Sequence, residues 1–93
     1  MSLSPLEATL KHEGRLDVLC CLVDGDSLAI PQLSARTGRS LKTVSHCIKV
    51  LEAFDLVEKV DAVDGGETFY VANLDKHPDW VREVVEEHRR AGY

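Results

Sequence analysis

The sequence predicts a mainly α-helical fold of five helices with one small β-hairpin. Three observations lead there. Apolar residues recur at three- and four-residue steps, most clearly Val44, Ile48 and Leu51, the repeat of a single helix face. Residues that start and stop helices stand at the ends of such stretches: Ser4-Pro5, Gly38, Ser40 and Pro78. Two short runs, Leu56 to Val60 and Glu67 to Val71, flank Asp64-Gly65-Gly66, a strong hairpin turn signal. A chain of 93 residues suits one domain, 1–93, around one modest core.

The first helix starts at Ser4-Pro5-Leu6-Glu7. Ser4 caps it, Pro5 takes the first helical position, and Glu7 stands where a capping box needs an acid. Leu6 and Leu10 share a face, and the helix is expected to run to about Lys11 or Glu13, before Gly14. The second helix is expected over Arg15 to Val23, with Leu16, Leu19, Cys20 and Val23 facing the core and Asp24-Gly25-Asp26 ending it. Leu28-Ala29-Ile30 is long enough for a single short strand at most.

Pro31 opens the third helix, with Ile30 and Leu33 turned inward, and Gly38 supplies the left-handed position that ends it. Only Arg39 separates Gly38 from Ser40, the cap of a fourth helix. A short helix, a tight turn with glycine and a second helix with a polar outer face form the helix-turn-helix pattern, here about 31–54. The spacing of Leu33, Val44, Ile48 and Leu51 lets both helices close on one core. Asp55 ends the fourth helix. The hairpin that follows, about 56–72, is then a wing, and Pro78 opens a last helix over about 78–90. Trp80, Val81, Val84, Val85 and His88 form a stripe along it. Together with Leu6 and Leu10 that is more apolar surface than this core needs, so the terminal helices are expected to pair with a second copy.

The fourth helix carries the functional signal. Opposite Val44, Cys47, Ile48 and Leu51 lie Lys42, Thr43, Ser45, His46 and Lys49, with no carboxylate among them. Short polar donors between cations suit a helix that enters a DNA major groove: the lysines neutralise phosphates, and the hydroxyls and His46 reach base edges or phosphates. The net charge of −5 argues against nucleic acid, but its distribution does not. Residues 1–26 hold five acids and two bases, and residues 52–93 hold eleven acids and five bases. Between Ser27 and Leu51 there is no acid, only Arg36, Arg39, Lys42 and Lys49. That local excess is an electrostatic footprint. The expected DNA-binding residues are therefore Arg36, Arg39, Ser40, Lys42, Thr43, Ser45, His46 and Lys49, and double-stranded DNA is the expected partner.

Other function classes find little support. No nucleophile and base are paired, no glycine loop is shaped for phosphate and no two carboxylates share a cleft, so no catalytic residue is expected. No apolar run approaches the ~20 residues of a membrane span, and the N-terminal residues lack a signal-peptide pattern. A cytoplasmic protein without a membrane partner is expected. Cys20 and Cys21 point about 100° apart on one helix and make poor disulfide partners. No CxxC spacing occurs. Cys20 and Cys47 are expected as buried small hydrophobes, with Cys21 more exposed.

These residues resemble the ArsR-type bacterial repressors. Leu10, Arg15-Leu16-Asp17-Val18-Leu19, Leu33 and Gly38 carry part of the resemblance. Its most specific part runs from Thr43-Val44-Ser45-His46-Cys47-Ile48-Lys49-Val50-Leu51-Glu52-Ala53 to Leu56-Val57, and Phe69-Tyr70-Val71 close the hairpin. The resemblance covers roughly residues 10–90. It implies a winged helix-turn-helix, a homodimer through the first and last helices with Leu6, Leu10, Trp80, Val81, Val84, Val85 and His88 at its interface, and a palindromic operator. It also implies repression relieved by a ligand, often a metal ion.

Several positions depart from the family pattern. Asp55 stands where the family often has glycine, at a cost of up to about 1 kcal/mol in a left-handed conformation. The wing tip carries Asp61, Asp64 and Glu67 where family wings often carry a base, so its contact with DNA should be weak or repulsive. The family's thiolate metal site falls on Ala29 and Pro31, which cannot ligate. Zinc-sensing members carry a four-ligand pattern in the last helix, of which Asp75, His77 and His88 match three positions and Ala91 loses the fourth. His77 and His88 lie about 16 Å apart along a helix. Only two antiparallel helices of a dimer could bring Asp75 and His77 of one chain to His88 of the other, a set zinc accepts with water as fourth ligand. The plainer reading gives Asp75 and His77 to the helix start and leaves His88 to end an apolar stripe, with Arg89 and Arg90 repelling a cation. No cofactor is expected beyond that zinc candidate. The acidic wing and the net charge support a competing function, a winged-helix protein-interaction module that does not bind DNA.

Overall fold

Helix α2, Glu13–Asp24, is the centre of the molecule in the computed structural model of the protein, which describes residues 4–24, 27–60 and 68–92. Around α2 stand α1 (Pro5–Thr9), α3 (Ile30–Thr37), α4 (Leu41–Ala53), β1 (Val57–Val60), β2 (Phe69–Ala72) and α5 (Asp79–Arg90). Five helices and one antiparallel hairpin make the winged helix-turn-helix that the sequence predicts. Because α3, α4, α5 and β2 all pack on α2, that helix is buried nearly all round: Leu16, Val18, Leu19, Cys20, Cys21 and Leu22 are closed off. Two expectations for α2 fail for this reason. Cys21 is buried rather than exposed, and Val23, assigned to the core face, is 37% exposed where the helix outruns its neighbours.

The local signals place most boundaries. Ser4 Oγ accepts the Glu7 amide at 3.2 Å, the N-cap read from the sequence. Yet α1 stops at Thr9, short of Lys11, and α2 begins at Glu13, so Gly14 lies inside its first turn instead of breaking the chain. Helix α3 starts at Ile30, where the Gln32 side chain accepts the Ala29 amide at 2.9 Å, and Ile30 is only half-buried. Gly38 ends it with φ 72°. Asp55 follows α4 with φ 60°, the one non-glycine residue in left-handed backbone among those described. The last helix begins at Asp79, with Pro78 just outside it.

The hairpin pairs Val57 with Ala72, Glu58 with Val71, Lys59 with Tyr70 and Val60 with Phe69. Each strand is displaced by about one or two residues from its predicted start, since Leu56 leaves the sheet to fill the core. The Leu28 amide donates to the Tyr70 carbonyl at 3.1 Å and the Tyr70 amide donates back at 2.9 Å. That bridge is all the strand that Leu28-Ala29-Ile30 forms, and it pins the wing to the entry of α3. The predicted turn Asp64-Gly65-Gly66, the acidic tip Asp61, Asp64 and Glu67, and Gly25-Asp26 lie outside the described residues.

One core serves both halves. Leu33, Val44, Cys47, Ile48 and Leu51 of the helix-turn-helix join Leu19, Leu56, Tyr70, Val81 and Val85. Among the described residues no buried side-chain polar atom lacks a hydrogen-bond partner, and no helix is long and apolar enough to cross a membrane.

Helix α5 uses a narrower stripe than the sequence suggests. Val81 and Val85, four residues apart, point into the chain's own core, as does Leu10 of α1. These three were expected at an interface with a second copy and are instead closed off within one chain. Trp80 and Val84 fall on the neighbouring stripe of α5 and, like Leu6 of α1, are only partly buried. With Glu7, Leu10 and Lys11, Trp80 and Val84 line an open cleft of about 430 Å³ between α1 and α5.

Candidate nucleic-acid interface

The fourth helix is set by its cap and by its inner face. Ser40 Oγ accepts the Thr43 amide at 3.1 Å, satisfying one of the amide donors that a helix start leaves open. Val44, Cys47, Ile48 and Leu51 then anchor the helix from within. This rotation leaves Lys42, Thr43, His46 and Lys49 exposed and Ser45 half-buried. On α3, Arg36 is exposed as well. Among the described residues Arg36, Lys42 and Lys49 make no ion pair. Three uncompensated cations therefore share the helix-turn-helix surface of one chain.

The turn between α3 and α4 is held by side-chain hydrogen bonds. Thr37 Oγ1 donates to the Leu33 carbonyl at 2.8 Å and accepts the Arg39 amide at 3.3 Å. Ser34 Oγ donates to the Arg39 carbonyl at 2.5 Å. Such local bonds give the turn one conformation.

Arg39 is not the free cation that the sequence suggested. Its Nε and Nη2 both reach Asp17 Oδ2, at 3.0 and 2.7 Å. This bonding with Asp17 raises the guanidinium further above its ordinary value. The carboxylate neutralises Arg39 locally, whereas Lys42 and Lys49 have no ion pair among the described residues. Ser40 and Thr43 are partly committed too, since Ser40 Oγ donates to Thr43 Oγ1 at 3.0 Å. The Thr43 hydroxyl keeps its own hydrogen for an outside acceptor.

Two exposed residues on these elements escaped the sequence reading. Leu41, at the first helical position of α4, is 55% exposed. Its spacing from Val44 and Ile48 assigns it to the inner stripe, but the first turn projects past the core. Lys59 stands exposed on β1, a base in the wing. Its charge was the signal available for Lys59, because strand alternation puts it on the face of buried Val57. For Leu41 no sequence signal existed.

The metal candidates are each engaged within the chain. Asp75 pairs with Arg82 at 2.8 Å. His77 Nε2 lies 2.9 Å from the Asp55 carbonyl. His88 Nε2 lies 2.6 Å from Asp17 Oδ1. Among the described residues no three potential ligands gather around one point.

The three thiols are buried. Burial, with the Asp24 and Asp17 charges adding to it, pushes the Cys20 thiol up to about 12. Burial also raises Cys47. Cys20 Sγ donates to the Val85 carbonyl at 3.5 Å and helps seat α5 on α2.

No protein-family model matches the chain, and no curated protein sequence does. Solved structures do match. The transcriptional repressor BigR from Xylella fastidiosa superposes with a TM-score of 0.78 at 25% identity, over 95% of this chain and 84% of that one. Reduced HlyU from Vibrio cholerae gives 0.72 at 25% identity, over 95% and 85%. The homodimeric winged helix-turn-helix DNA-binding domain of Mb0332 from Mycobacterium bovis, a possible ArsR-family transcriptional regulator, gives 0.69 at 24% identity, over 94% and 75%. Transcriptional regulators, one of them a homodimeric winged helix-turn-helix DNA-binding domain, are thus among the structural neighbours of this chain.

Proposed function

We propose that this protein is a sequence-specific DNA-binding transcriptional regulator, a cytoplasmic dimeric repressor that binds a palindromic operator and leaves it when a ligand binds. The observation that carries the reading is the outer face of α4, where Lys42, Thr43, His46 and Lys49 stand exposed without a carboxylate among them. A helix of 13 residues is about 20 Å long and fits the major groove. Lys42, Ser45, His46 and Lys49 meet base edges or adjacent phosphates, Arg36 and the Thr43 hydroxyl meet phosphates, and Leu41 offers an aliphatic group to a thymine methyl. Arg39 and Ser40 hold the turn that aims the helix.

The dimer surface is Leu6, Trp80 and Val84 around the cleft between α1 and α5. A two-fold axis there presents two copies of α4 to one face of DNA, with half-sites about one helical turn apart. The kinship in fold with a repressor and with a homodimeric DNA-binding domain supports both parts of the reading.

The net charge of −5 favours a second reading, a winged-helix module that binds another protein. A mobility-shift titration with random-sequence duplex at low salt separates the two. The first reading expects binding that salt weakens steeply, and no shift at any protein concentration refutes it.

A further inference from the structure

We propose that Asp17 is a positioning residue through which α5 controls the start of the DNA-reading helix; the proposal rests on the DNA-binding reading above. Asp17 lies on α2, touches neither proposed interface, and holds one element with each oxygen. Oδ2 accepts Arg39 Nε and Nη2, at 3.0 and 2.7 Å. Oδ1 lies 2.6 Å from His88 Nε2, which must carry the hydrogen, because a carboxylate only accepts. Its side chain is 14% exposed, so solvent screens these bonds little.

The Arg39 side of the link is a built seat. Gly14 stands one turn before Asp17 on α2, and a Cβ placed there would lie 3.5 Å from Arg39 Cζ. That is ordinary van der Waals contact, so the guanidinium lies against the helix at this point. The Arg39 amide and carbonyl are both bonded, to Thr37 and Ser34. Arg39 immediately precedes Ser40, the cap of α4. A shift of Arg39 therefore moves the cap and with it the first turn, which carries Lys42 and Thr43.

The His88 side belongs to the helix expected to meet a second copy. His88 sits in the last turn of α5, beside Arg89, which pairs with Asp24 of α2 at 2.8 Å. Trp80 and Val84 stand on the same helix. The two oxygens of a carboxylate form one rigid plane, so a displacement imposed on one reaches the other. Stability alone does not call for this arrangement. A part-buried carboxylate between an arginine and a histidine recovers little more than its desolvation cost, and an apolar residue could fill the space as well. What the carboxylate adds is directed geometry.

Two variants test the link. Asp17→Ala removes both oxygens and so cuts the link on both sides. His88→Phe keeps a ring in place and cuts only the α5 side. Both, and the double variant, are compared with wild type at a temperature and concentration where circular dichroism and sedimentation find them folded and equally assembled. The readouts are affinity for a random-sequence duplex at low salt and hydrogen exchange at the Thr43 and Val44 amides, which Ser40 caps. His88→Phe should weaken binding roughly two- to thirtyfold and speed exchange at both amides. Added to Asp17→Ala it should cost nothing further, because the link is already cut. Unchanged affinity and exchange in His88→Phe, or losses that multiply in the double variant, overturn the proposal. If wild type binds no duplex, the DNA-binding reading falls, and the exchange measurement alone decides the link.

Discussion

His77 Nε2 lies 2.9 Å from the carbonyl oxygen of Asp55, so the imidazole before α5 is tied to the residue that ends α4. Asp55 holds φ 60°, a conformation that costs an L-residue up to about 1 kcal/mol and glycine nothing. The bond from His77 uses only the backbone of Asp55, and glycine keeps it. Asp55→Gly should therefore stabilise the fold by up to about 1 kcal/mol, less the entropy that glycine adds to the unfolded chain. Urea denaturation measures the difference, and a loss of stability contradicts it.

The same contact bears on zinc. With His77 on Asp55, Asp75 on Arg82 and His88 on Asp17, each candidate ligand would have to leave a partner before a metal could bind. Titration calorimetry of the protein with zinc at micromolar concentration should give no heat of binding. A saturable heat, lost in His88→Phe, would restore the metal site to consideration.

Lys49 is exposed, unpaired among the described residues and centred on the outer face of α4. Lys49→Glu should abolish duplex binding and leave sedimentation unchanged. Lys49→Gln should lower the slope of log affinity against log salt by about one for each chain in contact. Equal binding by Lys49→Glu and wild type would refute the face assigned to DNA.

Trp80 and Val84 border the cleft between α1 and α5, whereas Val81 and Val85 lie in the core. Val84→Asp should shift the sedimenting species from dimer to monomer while keeping the helical circular dichroism. Val81→Asp should instead unfold the chain, because it buries a carboxylate without a partner. A dimer that survives Val84→Asp would place the interface elsewhere.

Cys20 releases its proton at about 12 in the native state against 9.0 for the unperturbed thiol. Between those values the unfolded chain holds fewer protons than the native one, so stability should fall as pH rises from about 9 to about 12. Below pH 9 both states keep this proton and the dependence vanishes. A thiol held protonated is a poor nucleophile. All three cysteines are buried, so the folded protein should resist alkylation near neutral pH and react fully in denaturant. Rapid native labelling of Cys20 would contradict the assignment.

What was legible in the sequence was what neighbouring residues determine among themselves. Ser40 caps α4, Gly38 takes left-handed backbone, and the spacing of Val44, Ile48 and Leu51 turns Lys42, His46 and Lys49 outward. Each follows from a few residues in one helix or turn, and each gave the helix-turn-helix before any contact was known. The tertiary structure alone decided which of two adjacent stripes on α5 is buried, because both stripes are apolar and only the elements packed beside them tell Val81 from Trp80. It alone buried Cys21, exposed Leu41 and brought Asp17 to Arg39 and His88, respectively 22 and 71 residues away in the chain. Periodicity reports that a face is apolar. It does not report how far the core extends along that face, or which carboxylate a distant arginine will find.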